Sequence, residues 1–223
     1  MNFMIFFNSL GELLYEVMSW LVFYPLTLWR AVVHPWSMMR YADAELADTA
    51  EQRFADVLSP PMFLLITVLI GHGVELAVIG ADPILKSTKG LAALITDDSN
   101  LIGLRMIAFA TFPLMSSVRL VRRKGQKLDR NSLKLPFYSQ CYATAPMALL
   151  VGIADALARD RTPWMQYSSL ALLVVGVVWF LVIETGWFRA ELGISRIRAF
   201  GNAMRTYLVS SVIVIVAVLL VEG

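Results

Sequence analysis

The stretch that decides how this chain is arranged is Arg119–Lys134, RLVRRKGQKLDRNSLK, which lies between two long apolar runs. It contains one acidic residue, Asp129, and seven basic residues: Arg119, Arg122, Arg123, Lys124, Lys127, Arg130 and Lys134. Short loops rich in Lys and Arg stay on the cytoplasmic side of a membrane. We therefore predict a cytoplasmic loop between two spans, with anionic lipid headgroups as its partners. Nucleic-acid binding is not expected, because the segment has no interleaved aromatic residues and lies between spans.

The composition of the whole chain indicates an integral membrane protein. Of its 223 residues, 58% are hydrophobic, and the mean hydropathy is +0.66. Charged residues make up 16% of the chain, whereas soluble domains contain roughly 25%. With one cysteine, Cys141, neither a disulfide framework nor a CxxC metal or redox pair is possible. Residues 1–7 lack a basic region, so no cleavable signal peptide is expected.

Five apolar segments are each long enough to cross about 30 Å of hydrocarbon. They lie near residues 62–80, 101–119, 136–156, 165–187 and 204–222. With five spans, Arg119–Lys134 and a second basic stretch, 188–205, fall on the same side of the membrane, whereas 82–100 and 155–163 show no positive excess. This agreement predicts one all-α membrane domain, 1–223, with a cytoplasmic N-terminus and a C-terminus outside.

Residues 3–28 predict a helix at the membrane surface. Their polar residues follow one another at spacings of three or four, which puts them on one helical face: Asn8, Glu12, Glu16 and Ser19. Two carboxylates inside a span would be costly, so an interfacial amphipathic helix is favoured over a true span, the alternative. Pro25 is expected to end or kink this helix. Trp20, Trp29 and Trp36 suit the headgroup region, and Trp164 and Trp187 are expected to anchor the two ends of the fourth span.

Residues 41–58 predict a second, short and acidic cytoplasmic helix. An apolar stripe recurs at every fourth residue: Leu46, Ala50, Phe54 and Leu58. We expect this helix to pack over the inner mouth of the bundle and to meet the basic segment, with a solvated acidic face as the alternative. Ser59-Pro60-Pro61 should end it, because proline lacks an N–H and restricts the residue before it.

Few side chains in the spans have the types and spacings that chemistry requires. No P-loop, GxGxxG, GxSxG or HExxH pattern is present. His72 and Glu75 lie at i and i+3 on one helix, but no second such pair completes a metal site. Cys141 has no base histidine at a suitable spacing. Asp155, Asp160 and Glu184 lie near predicted span ends, where water is available. We therefore predict no enzymatic activity, no cofactor and no metal.

Glu75 and Arg105 are predicted to form an ion pair within the membrane. At 1.5 Å per residue, Glu75 lies about 20 Å from the inner end of the first span, and Arg105 on the returning second span lies at the same depth. A carboxylate and a guanidinium at matched depth can form a charge-assisted pair. Gly71 and Gly73 would let the two helices approach closely. The alternative is that both side chains reach water separately near the outer surface.

A polar path among the first three spans is the basis of an alternative function. It would be lined by five residues: His72, Glu75, Arg105, Gln140 and Tyr142. Pro113 and Pro146, near the middle of the second and third spans, each free a backbone carbonyl and bend their helix. They are predicted to be hinges or cavity walls, with static packing as the alternative. Nearby hydroxyls are expected to satisfy the freed carbonyls: Thr111, Ser116, Ser117 and Thr144.

Three short motifs suggest a family. Phe137-Tyr138 and Tyr142-Ala-Thr-Ala145-Pro146 lie in the third span, His34-Pro35 lies in the arm, and Ser59-Pro60-Pro61 precedes the first span. Together they resemble the pattern of Yip1-type membrane proteins, as do the five spans and short C-terminal tail. With its short N-terminal arm the chain looks more like the bacterial members, which are often labelled permeases, than like the eukaryotic ones. The resemblance implies an inner-membrane, five-span bundle with a non-enzymatic role, and it carries over no catalytic residue.

From these observations we predict a non-enzymatic inner-membrane protein that binds a partner protein, a second copy of itself or lipids through its cytoplasmic face. A small-molecule permease with the polar path described above is the alternative. A lipid-modifying enzyme is disfavoured, because nothing resembles a nucleophile with its base.

Overall fold

The computed structural model describes residues 2–46, 54–79, 98–160 and 162–222. These residues form seven helices: α1 Asn2–Val33, α2 Pro35–Glu45, α3 Pro60–Ile79, α4 Asp98–Arg123, α5 Arg130–Ala158, α6 Pro163–Leu192 and α7 Arg196–Glu222. The five helices α3 to α7 are long and apolar enough to cross a membrane. The predicted all-α class with five spans is therefore confirmed. Gly80 and most of the predicted 82–100 loop lie outside the described residues.

Helix α5 is the centre of the bundle. It packs against α3, α4 and α6, and both arm helices contact it. Residues 139–148 are buried without interruption, so this part of the helix is covered on every side. The stretch contains polar side chains, among them Ser139, Gln140 and Thr144, and small residues such as Ala143 and Ala145. In a membrane, polar and small residues face neighbouring helices whereas apolar faces can lie against lipid, so α5 takes the central position.

Proline, glycine and one aspartate set several helix ends. Pro35, Pro60 and Pro163 each occupy the first position of a helix, where the missing N–H costs nothing. Asp129 caps α5 by accepting hydrogen bonds from the backbone N–H groups of Asn131 and Ser132. Gly193 ends α6 in the left-handed conformation, with a φ of 62°.

Helix α1 runs further than predicted. It continues from Asn2 to Val33 through Pro25, so the proline does not end it. Its described part exposes Glu12 and Glu16, and on the opposite side it exposes large apolar residues: Leu14, Val17, Met18, Leu21 and Val22. This division into a polar and an apolar exposed face fits a helix that lies in the membrane interface.

The predicted bounds of the second helix, 41–58, are wrong. Helix α2 spans Pro35–Glu45, and the chain turns at 54–56, while 47–53, with Ala50 of the predicted stripe, lie outside the described residues. At the turn, the backbone N–H of Phe54 donates to a Glu45 carboxylate oxygen at 2.6 Å. Phe54 has a φ of 56° and stacks on Tyr138 of α5. These contacts hold a turn where the four-residue spacing predicted a helix.

The acidic residues of the arm bond mainly within the arm and to α5. Asp43 accepts a hydrogen bond from the Ser139 hydroxyl at 2.6 Å. Asp56 pairs with Arg30 at 2.9 Å and accepts a hydrogen bond from Tyr41. Burial raises the pKa of Asp43, and the nearby charge of Lys124 acts in the opposite direction. Among the described residues, the ion pair of Lys124 is with Glu191 of α6 and not with the arm.

The two tryptophans predicted to anchor the ends of the fourth span have different environments from each other. Trp164 is 60% exposed, as an interfacial anchor should be, but Trp187 is 1% exposed and packs inside the bundle. Helix α6 continues past Trp187 to Leu192, so this side chain lies within the span. Trp36 donates its indole N–H to the carbonyl of Ile183 at 3.1 Å, which fastens α2 to α6.

Both basic stretches lie at one end of the bundle, here called the basic end. Lys124, just after α4, pairs with Glu191 near the end of α6 at 2.6 Å. Arg119 donates from Nε to the side-chain oxygen of Asn202 on α7 at 2.8 Å. The predicted 119–134 loop is mostly helical, because α4 continues to Arg123 and α5 begins at Arg130. Most of the basic side chains are therefore mounted on rigid helix ends.

Candidate functional site

A charged cluster joins α3, α4 and α5 near the end of the bundle opposite the basic end. At its centre is Glu75, whose side chain is 2% exposed and contacts Nη1 of Arg105 through Oε2. Nη2 of Arg159 lies 3.4 Å from Oε1 of Glu75. Nδ1 of His72 lies 3.8 Å from Oε2 of Glu75 and 3.4 Å from Nη1 of Arg105. The structure thus contains the Glu75–Arg105 pair that matched depth predicts.

Arg159 is the member of this cluster that the sequence reasoning missed. The predicted third span, 136–156, ends before it and leaves it in a loop. In the structure α5 continues to Ala158, Arg159 follows at its C-cap, and it also binds Asp155 at 2.9 Å. The signal was available, because an aspartate four residues before an arginine is typical of a continuing helix.

The cluster is suited to holding three helices together. Its two guanidinium groups face the buried Glu75 and the more exposed Asp155, so the four formal charges balance. A buried charge is tolerated in a membrane bundle when it is paired in this way. Because Arg105 and Arg159 are partly exposed, their remaining N–H groups can reach water.

The glycines of α3 face a different helix from the predicted one. A Cβ on Gly152 of α5 would lie 3.7 Å from Cα of Gly71, whereas no atom lies within 4 Å of a Cβ on Gly73. Helix α3 therefore packs mainly on α5, and the long Arg105 side chain reaches Glu75 from α4.

Gln140 and Tyr142 lie far from the charged cluster, although both were predicted to share a path with it. Gln140 and Arg159 are on the same helix, about 28 Å apart at 1.5 Å per residue. The Tyr142 hydroxyl donates to the carbonyl of Leu58 at 2.8 Å, which ties the start of α3 to α5. The five path residues thus form separate groups in the part of the chain that the structure describes.

Gln140 instead faces Glu184 of α6, and Ser116 of α4 also approaches that carboxyl group. Glu184 and Gln140 are both 0% exposed. Both carboxyl oxygens of Glu184 and both polar atoms of the Gln140 amide lack a hydrogen bond of normal geometry. The expectation that Glu184 lies near a span end, close to water, is wrong, because α6 runs two further turns to Leu192.

Helices α4 and α5 continue through Pro113 and Pro146. These prolines free the carbonyls of Phe109 and Tyr142, but the nearby hydroxyls bond elsewhere. The observed acceptors are Ala108 O for Thr111, Pro113 O for Ser117, Gln140 O for Thr144, and the Thr206 hydroxyl for Ser116. The predicted compensation is therefore wrong, because a Ser or Thr in a helix most readily reaches a carbonyl three or four residues back. The hinge role stays a prediction.

At the basic end, a cleft between the ends of α4 and α6 and the start of α7 has a volume of about 600 Å³. We call it the arginine cleft, because four arginines line it: Arg119, Arg123, Arg198 and Arg205. Asn202 and the apolar Leu192 and Ile194 complete its wall, and no lining residue is acidic. Sequence reasoning found the two basic stretches but not their convergence. The spacing of Arg198, Asn202 and Arg205 on one face of a helix was the available signal.

Metal-binding groups are sparse in the described part of the chain. Among those residues, no group of three or more His, Cys, Asp or Glu side chains could hold a metal ion.

Comparisons of the chain with protein-family models, with curated proteins and with solved structures find no match.

Proposed function

We propose that this chain is a non-enzymatic protein of the bacterial inner membrane that binds anionic lipid headgroups at its basic end. The binding would serve membrane organisation or an accessory role beside another membrane protein. The observation that supports this most directly is the arginine cleft. The proposal also draws on the resemblance to Yip1-type proteins, which implies a similar non-enzymatic role.

The cleft has the charge and the position that a lipid phosphate requires. Its four guanidinium groups have no acidic neighbour in the cleft wall, and Glu191 close by is paired with Lys124. Guanidinium groups bind phosphate oxygens in pairs of hydrogen bonds. The cleft lies at helix ends, which would be level with the headgroups if these helices span the membrane. Basic pockets between spans on the cytoplasmic side are typical sites for anionic lipids.

The orientation in this proposal follows from the same charges. Placing the basic end in the cytoplasm satisfies the positive-inside rule for both basic stretches at once. The N-terminal arm contacts that end of the bundle through Trp36 and Asp43, so it would also be cytoplasmic. With five spans, the C-terminus is then outside.

The geometry favours the permease alternative less. That alternative needs one polar path among the first three spans, and the described residues divide into the charged cluster around Glu75, the buried group around Gln140, and Tyr142, which bonds to Leu58. Substrate-dependent flux into proteoliposomes of the purified protein would nevertheless reverse this preference.

The test compares thermal stability in detergent with added phosphatidylglycerol or cardiolipin against added phosphatidylethanolamine. The cleft variant is Arg198→Gln with Arg205→Gln. The matched control is Lys127→Gln with Arg130→Gln, which removes the same charge from the basic end outside the cleft wall. We expect anionic lipid to raise the melting temperature of the wild type and the control but not of the cleft variant. Equal losses in both variants would assign the binding to the positive charge of the whole basic end and would contradict the cleft as its site. No lipid effect on the wild type would contradict the proposal as a whole.

A further inference from the structure

Four spans meet around Glu184. The carboxyl group lies on α6, Gln140 faces it from α5, and Ser116 faces it from α4. The Ser116 hydroxyl in turn lies 3.4 Å from the hydroxyl of Thr206 on α7. All four side chains are buried, and Glu184 and Gln140 are completely so. Glu184 is thus an acid inside the bundle, surrounded by neutral polar groups.

The charge of an ionised Glu184 would have no counterpart here. Among the described residues, no basic side chain lies within ion-pair distance of it. An unpaired carboxylate in the middle of a membrane bundle is costly. The available hydrogen bonds also disfavour the ionised form. A carboxylate only accepts hydrogen bonds, so it could not donate one to the carbonyl oxygen of the Gln140 amide.

A protonated carboxyl group satisfies all four unpartnered atoms. Its O–H can donate to Oε1 of Gln140, and its other oxygen can accept from Nε2 of the same amide. We infer that Glu184 and Gln140 form a proton-binding site, in which Glu184 is a neutral acid paired with the Gln140 amide. On binding, the carboxylate takes up one proton and forms one O–H bond. On release, the proton passes to water.

A row of polar side chains connects this site to the arginine cleft. Asn202, Thr206 and Ser210 lie four residues apart on the face of α7 that contacts α4. Asn202 binds Arg119 in the cleft wall, and Thr206, one turn further in, reaches Ser116 beside Glu184. The row therefore places polar side chains on α7 at successive turns between the basic end and the surroundings of the buried acid.

Other titratable groups lie on the helices packed around the site. Arg119 is one turn from Ser116 on α4, and Cys141 follows Gln140 on α5. Asp43 of α2 accepts a hydrogen bond from Ser139, and Tyr207 of α7 packs on Phe180. These groups also contribute to any pH dependence, so the test compares the wild type with a variant in which the side chain at position 184 cannot ionise.

That variant is Glu184→Gln, which has the shape of the protonated acid but cannot ionise. At a pH above the ordinary titration range of a glutamate, the unfolded chain has released a proton that the folded wild type still holds. The stability of the wild type should therefore fall as pH rises. One such proton changes the unfolding constant by about tenfold per pH unit. We expect melting temperatures of the wild type to fall more steeply than those of Glu184→Gln between about pH 5 and about pH 9. Parallel curves would overturn the proposal.

Infrared spectroscopy tests the proton directly and does not depend on the variant folding. The wild type should show the carbonyl stretch of a protonated carboxylic acid near neutral pH, and this band should shift in D₂O. Glu184→Gln should lack the band, whereas Glu12→Gln on the exposed face of α1 should keep it. A wild type that shows only ionised carboxylates overturns the inference. So does stabilisation by Na⁺, but not K⁺, that Glu184→Gln abolishes, because the site would then hold a cation.

Discussion

Glu75 and Glu184 are two buried glutamates in spans of the same bundle, and their surroundings differ completely. The Glu75 side chain is 2% exposed and faces two guanidinium groups. Glu184 is 0% exposed and faces an amide and a hydroxyl. Burial alone therefore does not decide what a carboxyl group does in this protein. The neighbouring side chains determine its role. Two arginines make Glu75 the charged centre of an ion-pair cluster between helices, whereas an amide and a hydroxyl favour the neutral form of Glu184.

The two glutamates also lie in different halves of the bundle. Glu75 is near the end where α5 finishes at Ala158, and Glu184 is one turn inside the arginine cleft. Positive charge near Glu75 is balanced by Asp155 and Glu75 itself, while the four arginines of the cleft have no acid in their wall. In the half around Glu75 the charged groups pair with one another and hold helices together. In the half around the cleft the guanidinium groups are available to an anionic ligand.

The largest expected effect concerns which half faces the cytoplasm. In a Cys141→Ser background, cysteines placed singly at Gln126 and Ser195 should be protected from a membrane-impermeant thiol reagent in intact cells. A cysteine at Ser99, at the start of α4, should be labelled. The measurement is labelling before and after the cells are broken, and protection that persists after lysis would mark an inaccessible site. Labelling of the Gln126 variant in sealed cells would reverse the proposed orientation.

Breaking the ion pairs of Glu75 should have the next largest effect. Glu75→Gln leaves two guanidinium groups beside a neutral amide, so we expect a loss of about 3 kcal/mol in stability. Glu184→Gln serves as the comparison and should cost less than about 1 kcal/mol near neutral pH, because it replaces a neutral acid. Thermal unfolding in detergent measures both. Similar losses in the two variants would remove the distinction between the glutamates.

A double-mutant cycle isolates the pair itself. Arg105→Gln should also destabilise the protein, and the charge swap Glu75→Arg with Arg105→Glu should recover part of the loss. Recovery will be incomplete, because the new arginine would lie beside Arg159. Strictly additive losses would show that Glu75 and Arg105 do not stabilise each other.

A smaller effect is expected where Trp36 of α2 packs on Gly186 of α6. A Cβ on Gly186 would lie 2.7 Å from the Trp36 ring, so Gly186→Ala should push α2 away from α6 and cost about 1 to 2 kcal/mol. Gly103→Ala is the matched control, since nothing lies within 4 Å of its Cβ. It should be neutral or stabilising by up to about 1 kcal/mol, as alanine favours a helix. Equal effects on melting temperature would show that Trp36 does not pack closely here.

The smallest effect concerns an exposed carboxylate, which completes the comparison. The hydrogen bond from Tyr41 is the main cause that lowers the pKa of Asp56, and Arg30 adds to it. A lowered pKa gives stability that is present above the ordinary range of an aspartate and is lost as pH falls through the lowered value. Tyr41→Phe should therefore reduce stability at neutral pH by well under about 1 kcal/mol, with no difference at strongly acidic pH. A loss that persists in acid would point to packing of the Tyr41 ring instead.

Several features of this protein could be predicted from the sequence because they depend on position along the chain alone. Apolar runs of sufficient length define the five spans, since a helix that crosses lipid must satisfy its own backbone. The Glu75–Arg105 pair could be predicted too, because depth in the membrane follows from residue count at a constant rise. Span length and depth do not depend on which way a helix is rotated, although the contact between the two side chains does.

Only the tertiary structure decided how each helix is rotated about its axis and which helices are its neighbours. Helices that are apolar on nearly every side carry little signal about which face meets which neighbour, so the pairing of Gln140 with Glu184 and the burial of Trp187 were not predictable. Arg159 joins Glu75 because α3 packs on α5 more than on α4, an order that the chain sequence does not specify. The four arginines converge for the same reason, because α7 returns beside α4.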